Sequence, residues 1–274
     1  TLLPRIASGT RLFDDDPPGV GVVATSRQPK PTTCVPGSIP RIRITATPAS
    51  VRSRSVKVAI LLLAAGRGTR LGANVPKAYL RLGSAPLIVH SAARLLAAVP
   101  ATDTCEIILL VQPEDRDAHL PGCIEPLRAL LPTGADLKIV DGGATRQDSM
   151  ERGLAATATD CDLIIVHDAA RALVSVEQTR ECLTTAARVG AALLAIPATD
   201  TLKRVREERV IETVDRSPIW YAQTPQIARR DLFLRACEHA RKTEFQVTDD
   251  ASLLEHAGIE VAVVSGTAGN LKIT

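Results

Sequence analysis

Residues 58–77 read VAILLLAAGRGTRLGANVPK, and this stretch decides the fold. It opens with eight uninterrupted apolar residues, Val58 to Ala65, whose length and composition are typical of a strand buried on both faces. Gly66 and Gly68 then end the apolar run, and glycine allows a backbone to turn sharply and to approach a ligand closely. The stretch therefore predicts a buried strand that leads into a glycine-rich loop.

The loop is also strongly basic, because it carries Arg67, Arg70 and Lys77 while no acidic residue occurs from position 17 to position 102. Backbone N–H groups together with cations favour a polyanion, most simply a nucleoside triphosphate. The Gly-Lys-Ser/Thr of a P-loop is missing, and a dinucleotide fingerprint would need glycine in place of Leu71. A basic turn that binds nothing is the alternative.

Three parts of the loop resemble the signature of nucleotidyltransferases that activate sugar phosphates and alditol phosphates. They are Ala64-Ala65-Gly66, Gly68-Thr69-Arg70 and Pro76-Lys77. The Ala-Ala-Gly form is similar to the cytidylyltransferase family that acts on 2-C-methyl-D-erythritol 4-phosphate in the non-mevalonate isoprenoid pathway, and the resemblance extends over residues 58–274. It implies that Ala64, Ala65, Gly66 and Gly68 bind the nucleotide.

Composition argues against several other classes of function. Aromatic residues make up only 2% of the chain, so nucleic-acid binding by base stacking is not expected. No apolar run approaches the roughly 18 residues that a membrane span requires, so no membrane partner is expected either. None of the six cysteines has the CxxC spacing of a zinc or redox site, and we interpret them as reduced core residues.

Residues 1–55 differ from the remainder, because they are rich in Pro, Ser, Thr and Arg and keep no helical or strand period. We predict a disordered N-terminal extension, followed by one domain at residues 56–274. The run Asp14-Asp15-Asp16 argues against an organelle transit peptide. Since the chain begins at Thr1 and its only methionine is Met150, we favour translated upstream sequence. The expected location is cytoplasmic, or plastid if the extension is a transit peptide.

From Val58 onward, strand and helix signals alternate with short connections. This pattern predicts an α/β fold with a Rossmann-like, mostly parallel sheet and helices on both faces. Ligands of such sheets bind beyond the carboxyl ends of the strands, where the Gly66 loop falls. The predicted helices are 86–99, 117–131 with an interruption at Pro121-Gly122, 145–156, 176–189 and 228–241. The further predicted strands are 105–111, 137–140, 163–166, 191–196 and 259–264.

The segment Asp141 to Ser149 places two glycines before a predicted helix with a polar first turn. In the resembled family this segment holds cytosine and ribose, which implies nucleotide-binding roles for Gly143, Arg146 and Ser149. Ala144 stands where the family often has an acid. A simple helix start capped by Thr145 is the alternative interpretation.

The segment His167-Asp168-Ala169-Ala170-Arg171 follows the predicted strand 163–166. A carboxylate at the end of a strand that faces a triphosphate loop can hold Mg²⁺, so Asp168 is the predicted metal ligand. The resemblance adds Asp168 and Ala169 to the nucleotide site. Arg171 can bind a phosphate with two nitrogens and is predicted to bind the substrate. We interpret His167 as a hydrogen-bonded structural residue.

Residues 197–226 read PATDTLKRVREERVIETVDRSPIWYAQTPQ, in which charged and β-branched residues alternate. The pattern predicts an exposed hairpin outside the sheet, a protruding β-arm at about 199–218. The motifs Asp-Thr-x-Lys, Asp-Arg and Gln-Thr-Pro-Gln resemble the arm of the methylerythritol and ribitol phosphate cytidylyltransferases. That arm crosses to a second subunit, which implies a homodimer. The implied ligands of the alditol phosphate in this segment are Thr201, Lys203, Arg216 and Thr224.

Two signals lie near the end of the chain. Thr248-Asp249-Asp250-Ala251 predicts a helix start with Thr248 as its N-cap. Lys272 matches the second essential lysine of the resembled family. Because the family normally continues into a final helix, we predict that the C-terminal end is truncated.

The resemblance implies transfer of CMP from CTP to 2-C-methyl-D-erythritol 4-phosphate with release of pyrophosphate. The nucleophile would be an ionised phosphate oxygen, so catalysis would rest on positioning and on cations. Arg70 and Lys77 would hold the triphosphate, Lys272 the α-phosphate, and Mg²⁺ the phosphate oxygens. Two alternatives remain: a ribitol 5-phosphate cytidylyltransferase and a catalytically inactive nucleotide-binding regulator.

Overall fold

The computed structural model describes residues 55–66 and 75–273. The predicted N-terminal extension lies outside the described residues up to residue 54. Gly68 and Arg70 of the glycine loop lie outside them as well, so their predicted roles are carried by the sequence alone.

The described residues contain eleven strands, seven α-helices and one short 3-10 helix at Lys77–Tyr79. The strands are β1 (Lys57–Leu63), β2 (Arg81–Leu82), β3 (Ala85–Pro86), β4 (Thr104–Val111), β5 (Asp136–Asp141), β6 (Leu163–Asp168), β7 (Ala191–Pro197), β8 (Leu202–Arg206), β9 (Arg209–Val214), β10 (Trp220–Arg229) and β11 (Ala262–Ser265). The helices are α1 (Leu87–Ala98), α2 (Asp115–Ala118), α3 (Pro121–Leu130), α4 (Arg146–Ala156), α5 (Val176–Val189), α6 (Arg230–Thr243) and α7 (Asp250–His256).

A seven-stranded sheet forms the centre, in the order β11-β7-β10-β6-β1-β4-β5. The neighbours from β6 to β5 pair in parallel, as do β7 and β11, whereas β10 runs antiparallel to both of its neighbours. The predicted α/β fold with a mostly parallel sheet is therefore confirmed.

β1 lies in the middle of this sheet and separates two hydrophobic cores. Its residues Val58, Ile60 and Leu62 pack into one core with residues of α1, α3 and α5, while Ala59 and Leu61 pack into the other with residues of α4, α6 and α7. Successive side chains of a strand point to opposite faces, so an unbroken apolar run serves both cores. The sequence pattern of a strand buried on both faces is confirmed.

Two general expectations can be compared with the described residues. Cys105, Cys123, Cys161, Cys182 and Cys237 are buried and unpaired, as expected for reduced core cysteines. None of the helices in residues 55–66 and 75–273 combines the length and the apolarity needed to cross a membrane.

The strand β10 is absent from the sequence prediction. The sequence pattern places Gln223–Gln226 at the end of the hairpin and starts a helix at Ala228. In the structure, residues 223–229 belong to β10 in the main sheet, and α6 starts only at Arg230. Proline argues against a central strand because it cannot donate to the ladder. The register of β10 against β7 shifts between Ala222 and Gln226, so Pro225 lies where the ladder is interrupted.

Several predicted boundaries also differ. The interruption predicted at Pro121-Gly122 within 117–131 corresponds to the break between α2, which ends at Ala118, and α3, which begins at Pro121. The last strand starts at Ala262 instead of residue 259. The N-cap of α7 is Asp249, whose side chain accepts a hydrogen bond from the Ser252 N–H at 3.0 Å, so the prediction of Thr248 is wrong. Thr145 caps α4 as predicted.

The hairpin predicted between residues 199 and 218 consists of β8 and β9. These strands pair only with each other among the described strands and form a two-stranded sheet apart from the central one. Most of their residues are exposed, including the apolar side chains of Val205, Val210 and Ile211.

The packing of α4 on the sheet gives a first prediction. A Cβ added at Gly153 would lie 2.9 Å from Leu61 Cδ2 and 3.0 Å from Leu110 Cδ2, so Gly153→Ala should force α4 away from β1 and β4. We expect the free energy of unfolding in urea to fall by about 1–3 kcal/mol from overpacking.

Gly122 in α3 is the matched control, since a Cβ there would meet nothing within 4 Å. Gly122→Ala should leave stability unchanged or raise it by up to about 1 kcal/mol, because alanine favours a helix over glycine. Equal stability of the two variants would contradict the close packing of α4.

Candidate active site

A cavity of about 400 Å³ lies beyond the carboxyl ends of four neighbouring parallel strands, β6, β1, β4 and β5. Parallel strands bring their carboxyl ends to one edge of the sheet, so residues distant in sequence meet there. The described residues that line it are Leu63, Ala64, Ala65, Gly66, Lys77, Ala78, Gln112, Gly143, Ala144, Thr145, Arg146, Ser149, Asp168, Ala170 and Lys272.

The cavity unites most of the described residues predicted to bind the nucleotide or to act in catalysis. These residues are Ala64, Ala65, Gly66, Lys77, Gly143, Arg146, Ser149, Asp168 and Lys272. They come from separate segments of the chain, and the parallel order of the strands is the physical reason for their meeting.

Glycine allows two of the lining loops to approach each other. A Cβ on Gly142 would lie 2.4 Å from Ala65 Cβ, so only glycine lets the segment after β5 approach the segment after β1 this closely. Gln112, which follows β4, donates from Nε2 to the Ala65 carbonyl at 2.6 Å. Gln112 is a site residue that the sequence patterns do not reveal, because a single polar residue after a strand is common.

The start of α4 forms another wall. The Gly143 N–H donates to Ser149 Oγ at 2.9 Å, and Ser149 Oγ donates to the Thr145 carbonyl at 3.0 Å. A Cβ on Gly143 would lie 2.1 Å from Asp148 Cβ. The segment is therefore both a capped helix start and part of the cavity wall, so the two interpretations of it are compatible.

Asp168 is the electrostatic centre of the site. Lys272 Nζ lies 2.8 Å from Asp168 Oδ2, Arg146 Nη2 lies 3.5 Å from Oδ1, and Arg171 Nε lies 3.7 Å from Oδ2. Burial alone would raise the pKa of Asp168, but Arg146 and Lys272 outweigh it and lower that pKa to about 2. The carboxylate is therefore ionised at neutral pH.

Arg146 is shared between two carboxylates. Its Nη1 lies 2.7 Å from Oδ2 of Asp250, which is completely buried at the first turn of α7. Burial by itself would lower the pKa of Arg146, but Asp250 and Asp168 raise it. Sequence reasoning missed Asp250 as a partner of Arg146, because an acid in the first turn of a helix is explained equally well by capping.

His167 faces the protein interior and has the structural role predicted for it. Its Nε2 lies 3.2 Å from the Arg171 carbonyl, and its Nδ1 lies 3.0 Å from Thr224 Oγ1. Since a carbonyl can only accept, Nε2 carries the proton and Nδ1 accepts from the Thr224 hydroxyl. Burial lowers the pKa of His167 to about 4, so the ring is neutral near pH 7.

Three predicted ligands lie behind the cavity wall instead of lining it. Ala169 is buried in the core, and its carbonyl accepts from Ser91 Oγ at 2.8 Å. Arg171 donates from Nη1 to the Asn270 carbonyl at 2.7 Å. Thr224 is buried and accepts the Asp168 N–H at 3.1 Å. The side chains of Arg171 and Thr224 are thus used to hold other residues of the site.

Thr201, Lys203 and Arg216 do not line the cavity of their own chain; they lie on or beside the hairpin and are exposed. Lys203 Nζ donates to Thr213 Oγ1 at 2.7 Å. Arg216 Nη1 donates to the Thr199 carbonyl, and neither Asp215 nor a hairpin glutamate is its ion-pair partner. Within one subunit, these three residues therefore do not share a cavity with Lys77 and Lys272.

Asp168 is the carboxylate that could bind Mg²⁺ at the cavity. In the part of the chain that the structure describes, no group of three or more His, Cys, Asp or Glu could hold a metal ion. Mg²⁺ commonly uses one or two carboxylates and takes its other ligands from substrate phosphates and water. The single ionised carboxylate of Asp168 at the cavity fits that mode and does not fit a dedicated protein cage.

Comparison with known proteins identifies the family. The family model described as IspD, 2-C-methyl-D-erythritol 4-phosphate cytidylyltransferase, matches residues 58–274. A relative of the same name from Solibacter usitatus is 37% identical over 230 residues, covering 80% of this chain and 91% of the relative. A bifunctional enzyme IspD/IspF from Desulfotalea psychrophila is 40% identical over 79% of this chain, which spans 53% of that relative.

Solved structures agree with these relatives. The 2-C-methyl-D-erythritol 4-phosphate cytidylyltransferase of Thermus thermophilus superposes with a TM-score of 0.63 at 32% identity, covering 80% of this chain and 93% of that one. The 4-diphosphocytidyl-2C-methyl-D-erythritol synthase of Anaerococcus prevotii superposes with a TM-score of 0.67 at 26% identity, covering 80% and 91%. The chain belongs to the 2-C-methyl-D-erythritol 4-phosphate cytidylyltransferase family, IspD.

Proposed function

We propose that the cavity at the carboxyl edge of the sheet binds CTP and transfers CMP to 2-C-methyl-D-erythritol 4-phosphate, giving 4-CDP-2-C-methyl-D-erythritol and pyrophosphate. The observation that carries this proposal is the convergence of Lys77, Arg146 and Lys272 on one cavity around the ionised Asp168. The activity is that of the family to which the chain belongs.

The two ends of the nucleotide have different partners in this proposal. The triphosphate lies against the backbone after β1, with Lys77 and, beyond the described residues, Arg70 as cations. Cytosine and ribose lie against Gly143, Arg146 and Ser149. Backbone N–H groups and cations stabilise a polyanion at the end of a strand.

The reaction needs no general base from the protein. The attacking group is a phosphate oxygen, which is already largely ionised near neutral pH because the second pKa of a phosphate monoester is about 6. His167 is neutral, buried and turned toward backbone and Thr224, so it does not compete for this role. Two anions must meet, and fixed cations lower that barrier.

Lys272 is the proposed contact of the α-phosphate. Its side chain is 44% exposed while its ammonium stays 2.8 Å from Asp168, so it is both accessible and oriented. Asp168 is the proposed ligand of Mg²⁺, together with phosphate oxygens. The ion would add charge stabilisation at those oxygens.

The alditol phosphate site is proposed to include the hairpin of a second subunit. Thr201, Lys203 and Arg216 are exposed and lie away from the cavity of their own chain, which supports a role at a neighbouring cavity in a homodimer. A twofold axis would make each hairpin serve the other subunit.

One assay tests the proposed function against its two alternatives. Purified protein is incubated with CTP, Mg²⁺ and either alditol phosphate, and pyrophosphate release is measured. We expect turnover with 2-C-methyl-D-erythritol 4-phosphate and little with ribitol 5-phosphate. The reverse preference would favour the ribitol enzyme, and CTP binding without turnover would favour the inactive regulator. Equal turnover with UTP or ATP would contradict the cytosine site.

Lys77→Ala should slow turnover far more than it lowers stability. Lys77 lines the cavity, and losing one charge contact made in the transition state costs about 2.7–4 kcal/mol, or about 10²–10³ in rate. Lys242→Ala is the control, because Lys242 is an exposed residue of α6 paired with Glu238. A loss below about fivefold for Lys77→Ala would exclude the assigned role, since a transition-state contact costs far more.

The hairpin leads to a separate prediction. Arg216→Lys should raise the KM for the alditol phosphate and leave the KM for CTP almost unchanged, because lysine cannot bind two phosphate oxygens as the arginine fork does. Mixing Arg216→Ala with Lys77→Ala subunits should restore part of the activity, since one site of each mixed dimer is then intact. If mixed dimers form without any recovery, Arg216 does not serve the neighbouring subunit.

A further inference from the structure

The last described segment, residues 266–273, contains neither helix nor strand, yet it carries Lys272 into the cavity. Two backbone bonds attach it to the rest of the domain: Gly266 N–H donates to the Ala195 carbonyl at 2.8 Å, and Ile273 N–H donates to the Ala170 carbonyl at 3.0 Å. A segment without regular structure needs side-chain contacts to hold one conformation.

Asn270 supplies those contacts. It is 1% exposed, although the neighbouring Leu271 is 61% exposed. Its Nδ2 donates to Gln223 Oε1 at 3.1 Å and to the Thr224 carbonyl at 2.9 Å. Gln223 is fixed in turn, because its Nε2 donates to the Thr267 carbonyl at 2.9 Å. The Asn270 amide thus fastens the segment to β10 two residues before Lys272.

The same part of β10 also holds the partner of Lys272. Thr224 Oγ1 accepts the Asp168 N–H at 3.1 Å, and the Thr224 carbonyl accepts from Asn270. Arg171 joins the two sides, because its Nη1 donates to the Asn270 carbonyl at 2.7 Å while its Nε lies 3.7 Å from Asp168. Thr224 therefore holds both sides of the Lys272–Asp168 pair: its hydroxyl binds the backbone of Asp168, and its carbonyl binds Asn270, which lies two residues before Lys272.

We propose that Asn270 is a positioning residue that sets the place of the Lys272 ammonium at the reacting phosphate. This inference rests on the proposed function, in which Lys272 contacts the α-phosphate. Lysine has a long flexible side chain, so the position of its charge depends on how firmly its backbone is held. Without the Asn270 amide, the segment keeps the Ile273 bond, the bond from Gln223 Nε2 to the Thr267 carbonyl and the bond from Arg171 to the Asn270 carbonyl. It loses the two bonds from Nδ2 to Gln223 Oε1 and to the Thr224 carbonyl, which are the side-chain bonds made two residues before Lys272.

A double-mutant cycle tests the inference. Asn270→Ala should lower kcat/KM by up to about 10²-fold, the scale expected for misplacing a catalytic group by about 1 Å. In a Lys272→Ala background, the same substitution should have almost no further effect, because the group that it positions is gone. Leu271→Ala is the matched control in the same segment and should leave kcat/KM unchanged.

The possible outcomes separate the inference from the proposed function. If Lys272→Ala leaves turnover intact, the role of Lys272 in the proposed function is wrong. If Lys272→Ala lowers kcat/KM and Asn270→Ala lowers it by its full factor again in that background, Asn270 does not act through Lys272 and the inference is overturned. The inference is also overturned if Asn270→Ala has the kcat/KM of the parent protein.

A second measurement distinguishes positioning from plain stabilisation. The acetylation rate of each lysine is followed by mass spectrometry at a temperature where the variants are folded. Asn270→Ala should make Lys272 react several-fold faster while Lys242 reacts at its former rate. A uniform rise at both lysines would indicate general loosening and overturn the inference. If Asn270→Ala does not fold, Asn270→Ser, which keeps one donor, takes its place and should give the same selective change.

Discussion

The ionised carboxylate of Asp168 is the constraint on which the site depends. A buried carboxylate is costly unless charges and hydrogen bonds compensate it. Here the compensation comes from three segments, through Arg146 at the start of α4, Arg171 after β6 and Lys272 near the end of the chain. The same contacts that make the burial of Asp168 tolerable also gather cations at one edge of the sheet, where a triphosphate is proposed to bind.

The antiparallel strand β10 supports this cluster from behind. Thr224 accepts the Asp168 N–H. Gln226 donates to Asp249 Oδ2 at 2.8 Å and accepts the Ala251 N–H at 2.7 Å. These bonds hold the first turn of α7, whose Asp250 pairs with Arg146. One strand therefore fixes both the carboxylate that Lys272 contacts and the carboxylate that orients Arg146.

Local sequence predicts the elements of this fold better than it predicts their partners. The apolar run of β1 and the glycines that follow it are patterns of adjacent residues, so both can be recognised in the sequence. β10 could not be predicted, because Pro225 argues against a strand. The shift of register that accommodates Pro225 arises from pairing with β7, which is distant in the sequence. The buried roles of Arg171 and Thr224 also escaped prediction: their partners Asn270 and Asp168 lie 99 and 56 residues away in the chain, and only folding brings them together.

The most direct measurement is a crystal structure with a non-hydrolysable CTP analogue and Mg²⁺. We expect the triphosphate in the cavity beside Lys77 and the base against Gly143 and Ser149. Lys272 should lie within hydrogen-bond distance of the α-phosphate and still close to Asp168. A nucleotide bound elsewhere, or one whose α-phosphate lies out of reach of Lys272, would contradict the proposed active site.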